Sequence, residues 1–187
     1  MAQLHKKIAE YTRARQALAD LSRPFIGRRQ PLDCREIQPA RMPPVARRLL
    51  THHQHMTIVL AEHYGLPMDI RVLKKSRQGD RYTRKILLLP HGSQRVVEAG
   101  IVRLNFACTS AAVRNEILAG RRPLGEILTA HNVLRRIEPL WFVRFAPGDA
   151  LGEFFGLEFP RSIYGRLAMI YCNGEPAIEL LETLVDA

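Results

Sequence analysis

Apolar residues recur at two different spacings along the chain, and the change of spacing separates helical from extended stretches. A first helix over about residues 3–20 is predicted by the helical spacing of Leu4, Ile8, Tyr11, Arg15 and Leu18. The Pro- and Arg-rich segment 23–44 then predicts an irregular connector. A second helix is predicted over residues 45–64, with Gly65 as its C-terminal cap and Pro67 behind it.

Beyond residue 67 the pattern becomes that of strands. Segments 68–76, 81–89 and 94–106 are separated by short polar stretches that contain glycine, as in successive hairpins. Helices follow at 110–119 and from Pro123. Segment 132–145 reads as a strand in which Pro139 requires an edge or a bulge, and segment 164–185 as a hairpin turning at Asn173-Gly174. The chain is therefore predicted to be a single α+β domain with about six mainly antiparallel strands.

Three charged residues fall in otherwise apolar rows of these strands. Because side chains alternate between the faces of a strand, Arg84, Arg166 and Glu182 each share a face with apolar neighbours. A buried charge needs a partner, because its desolvation costs several kcal/mol. Arg84 and Glu182 could pair with each other, or these faces could be solvated. Alternatively, the charges line an apolar cavity that binds a small molecule with carboxylate and hydroxyl groups.

The segment RRPLGEILTAH, residues 121–131, predicts a helix start without a conventional cap. Pro123 suits the first helical position, which leaves Arg122 at the cap, and Arg cannot accept a hydrogen bond. The amides of Leu124 and Gly125 are then left without a side-chain partner. Together with Arg84, they are candidate donors to an anionic ligand.

Composition narrows the function classes without selecting one. With 187 residues and 47% apolar content, the chain suits one compact core, and its net charge of +10 favours an anionic partner. Residues 1–50 hold most of that excess, with 11 Lys and Arg against 4 Asp and Glu. No apolar run approaches the roughly 18 residues of a membrane span. Three scattered cysteines indicate neither a zinc ribbon nor a disulfide framework, and predict a reducing cytoplasm.

A group of histidines, His52, His53, His55 and His63, raises the question of a metal. A helix would bring His52 and His55 together, but no acidic or thiolate third ligand accompanies them. No metal site is therefore expected.

Six short motifs, in order and at similar spacing, resemble one enzyme family. They are CREI (34–37), HMT (55–57), YTRKILLL (82–89), RPLGEIL (122–128), YGR (164–166) and NGEPAIELLETL (173–184). The chain from about residue 33 onward resembles the chorismate pyruvate-lyases, or 4-hydroxybenzoate synthases, and its PLGE and ELLE motifs are those of a divergent branch. The resemblance implies a lyase-like domain over residues 33–187, preceded by a helix and basic connector over residues 1–32.

The resemblance also implies an activity and a site. Members of the family convert chorismate to 4-hydroxybenzoate and pyruvate without metal or organic cofactor, in a pocket buried under helices, and the product could enter quinone biosynthesis or other pathways. Catalytic roles fall on Arg84 and on Glu182, which orients the hydroxyl or acts as base. The substrate-binding residues are predicted to be these two together with Met56, Thr57, Leu124, Gly125 and Arg166.

Two alternatives to the enzyme remain. The same fold serves as an effector domain in transcriptional regulators, so the chain could bind an aromatic carboxylate without converting it. The basic N-terminal part could bind nucleic acid, although it has no recognition motif and no row of aromatic residues for stacking.

Overall fold

A computed structural model of the chain describes residues 2–27, 30–148 and 150–185, with side chains from residue 14 onward. Its helices are α1 (Ala2–Ile26), α2 (Pro44–Leu50), α3 (Met56–Tyr64), α4 (Ala111–Ala119), α5 (Leu124–Ala130) and α6 (Ala150–Phe155). Its strands are β1 (Arg35–Glu36), β2 (Met68–Gln78), β3 (Arg81–Pro90), β4 (Glu98–Asn105), β5 (Arg135–Phe145), β6 (Ile163–Cys172) and β7 (Glu175–Leu184). Short 3₁₀ turns lie at Pro39–Arg41 and Phe106–Cys108.

The described strands form one sheet in the order β1-β5-β6-β7-β4-β3-β2, and every neighbouring pair is antiparallel. Two meanders, β2-β3-β4 and β5-β6-β7, join side by side where β4 pairs with β7. The prediction of a single α+β domain with about six antiparallel strands is confirmed. The additional strand is β1, which pairs only two residues with β5.

Helices cover both faces of this sheet, and the two faces differ in what they bury. The pocket face is the side of the sheet that carries Arg84, Glu98, Arg166 and Glu182, and it is covered by α2, α3, α4 and α5. The back face is the opposite side, covered by α1 and α6. No helix in the described ranges has the length and apolarity needed to cross a membrane.

The first helix is longer than predicted. It continues to Ile26 with Pro24 in its last turn, because Leu21 and Phe25 extend the stripe that Ala14 and Leu18 bury against the back face. Leu4, Ile8 and Tyr11, on which its prediction also rests, lie outside the described side chains.

The predicted second helix is divided in two. Its chain leaves the helix at Thr51 and resumes at Met56, and Gly65 caps α3 in the left-handed conformation, as predicted. The break has a physical cause: the Arg166 guanidinium takes the backbone carbonyls of Leu50 and His52, which a continuous helix would use for its own bonds.

Helix α5 begins one residue later than predicted. Because the amide of Ile127 donates to the carbonyl of Pro123, Pro123 is the cap and Leu124 the first helical residue. Arg122 therefore lies outside the helix, and its guanidinium pairs with Glu116 at 2.9 Å. Further along, the predicted irregularity at Pro139 is confirmed as a bulge, and Asn173 and Gly174 turn with positive φ.

Candidate functional site

The register of the central strands gathers the charged residues of the pocket face. Arg166 on β6 lies directly opposite Glu182 on β7, and Gly100 on β4 lies opposite Glu182 on its other side. Two residues before Gly100, Glu98 occupies the same face, and Arg84 on β3 faces Val102. Strand register and side-chain alternation thus place all four charged residues on one face, and three of them were predicted to lie among apolar neighbours.

A small cavity lies between this face and the first turns of α3 and α5. Its free space of about 30 Å³ is enough for one or two water molecules. The residues that line it are mostly apolar: His55, Met56, Thr57, Ile70, Ile86, Leu88, Glu98, Val102, Pro123, Leu124, Gly125, Ile170, Leu180 and Glu182. Five of the predicted ligand-binding residues therefore line one cavity, whereas Arg84 and Arg166 are not among the residues that line it.

Arg166 is fully engaged by its surroundings. Its Nε donates to Glu182 Oε2 at 2.5 Å, and both side chains are buried. Its remaining nitrogens donate to the carbonyls of Leu50 at 3.1 Å, His52 at 2.8 Å and Gln54 at 3.4 Å. The partner of Glu182 is therefore Arg166, not Arg84, and the pair anchors the loop that connects α2 to α3.

Arg84 has the opposite character. Its side chain is fully buried, and its one hydrogen bond is a long one, from Nη1 to the carbonyl of Ile117 at 3.4 Å. Within the described chain, neither its Nε nor its Nη2 has a partner. Burial lowers the pKa of Arg84, but a guanidinium stays protonated near neutral pH. A buried cation with two unused donors is a site for an anion.

Tyr82 adds a further unused donor beside Arg84. It precedes Arg84 by two residues on the same face of β3, and its ring stacks on Phe106 with centroids 5.2 Å apart. Its buried hydroxyl has no partner in the described part of the chain. Tyr82 thus extends the donor-rich end of the pocket face.

Glu98 is a site residue that the sequence prediction missed. It is 2% exposed and lines the cavity, and the described residues offer no partner to its Oε2. Burial raises the pKa of Glu98 well above its usual value, and the charge of Glu182 raises it further while Arg166 acts in the opposite direction. The alternation argument applied to Glu182 would have found it, because Glu98 shares its row with Val102 and Leu104.

Two glycines let the walls of the site close on each other. A Cβ on Gly100 would lie 2.8 Å from the carbonyl oxygen of Leu181 and 3.2 Å from Glu98 Oε1. A Cβ on Gly125 would lie 2.8 Å from that of His55, so the first turn of α5 rests against the His55 ring. Larger side chains at either position would separate the elements that enclose the cavity.

His55 closes the mouth of the cavity in its neutral form. Its Nε2 accepts a hydrogen bond from Arg135 Nε at 2.6 Å. Burial, followed by the charges of Arg135 and Arg166, lowers the pKa of His55 to about 4. Each of the four histidines considered as metal ligands, His52, His53, His55 and His63, has its own hydrogen-bond partner. No group of three metal-ligating residues occurs in the described ranges.

No family model matches the chain, and the search of curated proteins found no match. Among solved structures, PhnF from Mycobacterium smegmatis is 13% identical over 73% of this chain and 65% of its own, with a TM-score of 0.48. The effector domain of PhnF is 14% identical over 70% and 87%, at 0.47. YydK from Bacillus subtilis, described as a possible transcriptional regulator, is 10% identical over 63% and 57%, at 0.44.

This chain therefore spans less than two thirds of PhnF and of YydK. Likenesses at this distance concern the general fold and do not indicate a ligand. They give no specific support to the chorismate pyruvate-lyases as the family of this chain. The division at residue 32, the cytoplasmic location and the exclusion of nucleic acid remain predictions.

The prediction that the chain is an enzyme is wrong by these comparisons. Several of the similar structures are described as transcriptional regulators, or as the effector or ligand-binding domain of one. Glu182, the residue expected to orient the hydroxyl or take a proton, is already held by the Arg166 guanidinium.

Proposed function

We propose that the chain is a non-catalytic binding domain for a small organic acid. The carboxylate of the ligand is held by Arg84, its apolar body lies against the cavity wall, and its polar end faces Glu98 and Glu182. The observation that carries this proposal is Arg84, fully buried with Nε and Nη2 unused by any described residue. Leaving a cation in that condition is costly, and a bound carboxylate removes the cost.

The lining of the cavity supports an apolar body for the ligand. Met56, Leu124 and Ile170 supply hydrocarbon surface from three different elements. Met56 has a flexible, unbranched side chain that can adapt to a ring. A pocket that is mostly apolar, with a few polar groups at fixed places, is the usual form of a small-molecule site.

The free space of about 30 Å³ is smaller than an aromatic ring needs. Binding therefore requires the elements at the mouth to move apart. Helix α5 and the loop before α3 meet there through Gly125 and His55, without a covalent or ionic link between these two residues. The proposal thus includes opening of this contact when the ligand enters.

The test is calorimetric titration of the purified chain with benzoate and 4-hydroxybenzoate, beside the variant Arg84→Met. A charge-assisted hydrogen bond contributes about 1.5–3 kcal/mol, so we expect the variant to bind about 10- to 100-fold more weakly. Lys85→Met is the matched control, because it removes a buried cation from the next residue, on the opposite face. We expect its affinity to equal that of the wild-type chain.

Two results would contradict the proposal. Equal loss of affinity in Arg84→Met and Lys85→Met would mean that general destabilisation, and not carboxylate binding, is measured. Stoichiometric release of 4-hydroxybenzoate and pyruvate from chorismate would show that the domain is not merely a binder.

A further inference from the structure

The carboxyl group of Glu98 restricts the class of ligand that the cavity can bind. Glu98 is buried, lines the cavity, and has an Oε2 without a hydrogen-bond partner among the described residues. Its neighbour Glu182 is engaged by Arg166, so the two carboxyl groups are not equivalent. Gly100 lies between them and has no side chain. A Cβ there would lie 3.2 Å from Glu98 Oε1, so glycine leaves room for the Glu98 carboxyl group.

Charge balance within the site decides which form of Glu98 fits. Arg166 and Glu182 neutralise each other, and His55 is neutral because its pKa lies near 4. Arg84 then remains as one positive charge without a described counter-ion. A neutral, protonated Glu98 leaves that charge for a ligand monoanion, whereas an ionised Glu98 would balance it and favour a zwitterion.

The described groups that act on the proton of Glu98 are few. Glu182 on β7 opposes its loss, Arg166 on β6 favours its loss, and burial from all sides opposes it most strongly. Other ionisable groups on this face are Arg84 and Tyr82 on β3, Lys75 opposite Arg84 on β2, and His52 and His55 before α3. Burial and the charge of Glu182 therefore both favour the protonated form of Glu98.

Arg84 and Glu98 lie at different places along the strands. Val102, which faces Arg84, and Glu98 are four residues apart on β4, so their backbone positions are about 13 Å apart at the usual rise of a strand. A ligand that lies along β4 would therefore meet a cation at one end and a carboxyl group at the other.

We infer that Glu98 is a specificity residue, which as a neutral carboxyl group binds the uncharged polar end of a monoanionic ligand. This inference rests on the proposed function. The carboxyl group of Glu98 donates a hydrogen bond to the hydroxyl oxygen of the ligand or accepts one from the hydroxyl group. Arg84 holds the carboxylate of the ligand. The ligand is selected at both ends.

The experiment compares 4-hydroxybenzoate with benzoate, which lacks the hydroxyl, in calorimetric titrations of the wild-type chain, Glu98→Gln and Glu98→Leu. The wild-type chain is expected to prefer 4-hydroxybenzoate about tenfold, the worth of one hydrogen bond. Glu98→Gln keeps a neutral donor and acceptor and should retain the preference. Glu98→Leu should abolish it without weakening benzoate.

A pH series separates the neutral carboxyl group from a carboxylate. Between about pH 5.5 and 8.5 the carboxylate of 4-hydroxybenzoate is ionised and its phenol is neutral, so the charge of the ligand stays constant. Wild-type affinity should fall as the pH rises and Glu98 loses its proton, and this fall should be absent in Glu98→Gln. Glu179→Gln, which alters a β7 carboxylate paired with Arg103, is the control and should behave as wild type.

The outcomes distinguish this inference from the function on which it rests. Binding that depends on Arg84 but is indifferent to both Glu98 variants overturns the inference alone. Tighter wild-type binding of 4-(aminomethyl)benzoate, a zwitterion of similar length, overturns it as well, because an ionised Glu98 is then required. Failure of the wild-type chain to bind any of these probes overturns the proposed function and the inference together.

Discussion

Arg84 and Lys85 are consecutive residues of β3, both buried and both cationic, yet their surroundings differ completely. Lys85 points to the back face, where its Nζ donates to the carbonyl of Phe154 and lies 4.4 Å from the centre of the Phe154 ring. Arg84 points to the pocket face with two nitrogens that have no hydrogen-bond partner among the described residues. Both cations are enclosed by the fold, but only Arg84 has two donor nitrogens without a hydrogen-bond partner among the described residues.

The difference extends to the residues around each cation. On the back face, the Thr183 hydroxyl donates to the carbonyl of Ala99, and Arg103 pairs with Glu179. On the pocket face, the Tyr82 hydroxyl and Glu98 Oε2 join Arg84 in having no partner among the described residues. Because buried polar groups in proteins are nearly always satisfied, such a concentration on one face indicates where a ligand belongs.

The largest expected effect comes from breaking the ion pair between Arg166 and Glu182 on the pocket face. Arg166→Met would leave Glu182 buried without its partner and release three backbone carbonyls of the loop before α3. We expect the free energy of unfolding to fall by about 3–5 kcal/mol. Urea denaturation followed by circular dichroism measures it.

The double variant Arg166→Met with Glu182→Leu is the control for this effect. It removes both charges, so no uncompensated carboxylate stays buried, and it should be less destabilised than Arg166→Met alone. A double variant that is less stable than the single one would show that the pair contributes through packing and not through charge.

A smaller effect is expected from acid, and it also belongs to the pocket face. The pKa of His55 is about 4 in the folded chain against 6.5 when unfolded, so below pH 6.5 the unfolded state binds more protons. Stability is therefore full above pH 6.5 and falls as the pH drops toward 4, by up to about 3 kcal/mol. Urea denaturation at pH 7 and pH 4.5 should show a shallower loss for His55→Gln than for wild type. Equal losses in the two proteins would contradict the assignment.

The fold was predictable because each strand carries its own local signal. Alternating residues, turn glycines and the Asn173-Gly174 pair placed four strands and the final hairpin, and alternation alone put Arg84 and Glu182 each on an apolar face. What failed depended on distant contacts. The break at Thr51 requires Arg166, which is 115 residues away in the chain, and no local pattern announces it.

The sequence predicted most of the residues of the site, but not which of them pair with each other. The sequence indicated that charges share an apolar face, but the register between β6 and β7 decides that Glu182 pairs with Arg166. Glu98 was accessible to the same alternation argument, since it shares its row with Val102 and Leu104. Which of these charges the fold satisfies, and which it leaves for a ligand, follows only from three-dimensional contacts.

The smallest expected effect tests the comparison of Arg84 with Lys85 most directly, because one substitution is applied to both. Lys85→Met removes a hydrogen bond and a cation–π contact but keeps an apolar chain against Phe154, so a loss of about 1 kcal/mol is expected, or about 2–4 °C in Tm. Arg84→Met removes a cation that no described residue neutralises and should leave Tm unchanged or raise it. Thermal denaturation without ligand measures both shifts. A drop in Arg84→Met as large as that in Lys85→Met would mean that Arg84 is a structural cation like its neighbour, and the asymmetry between the two faces would then have no bearing on ligand binding.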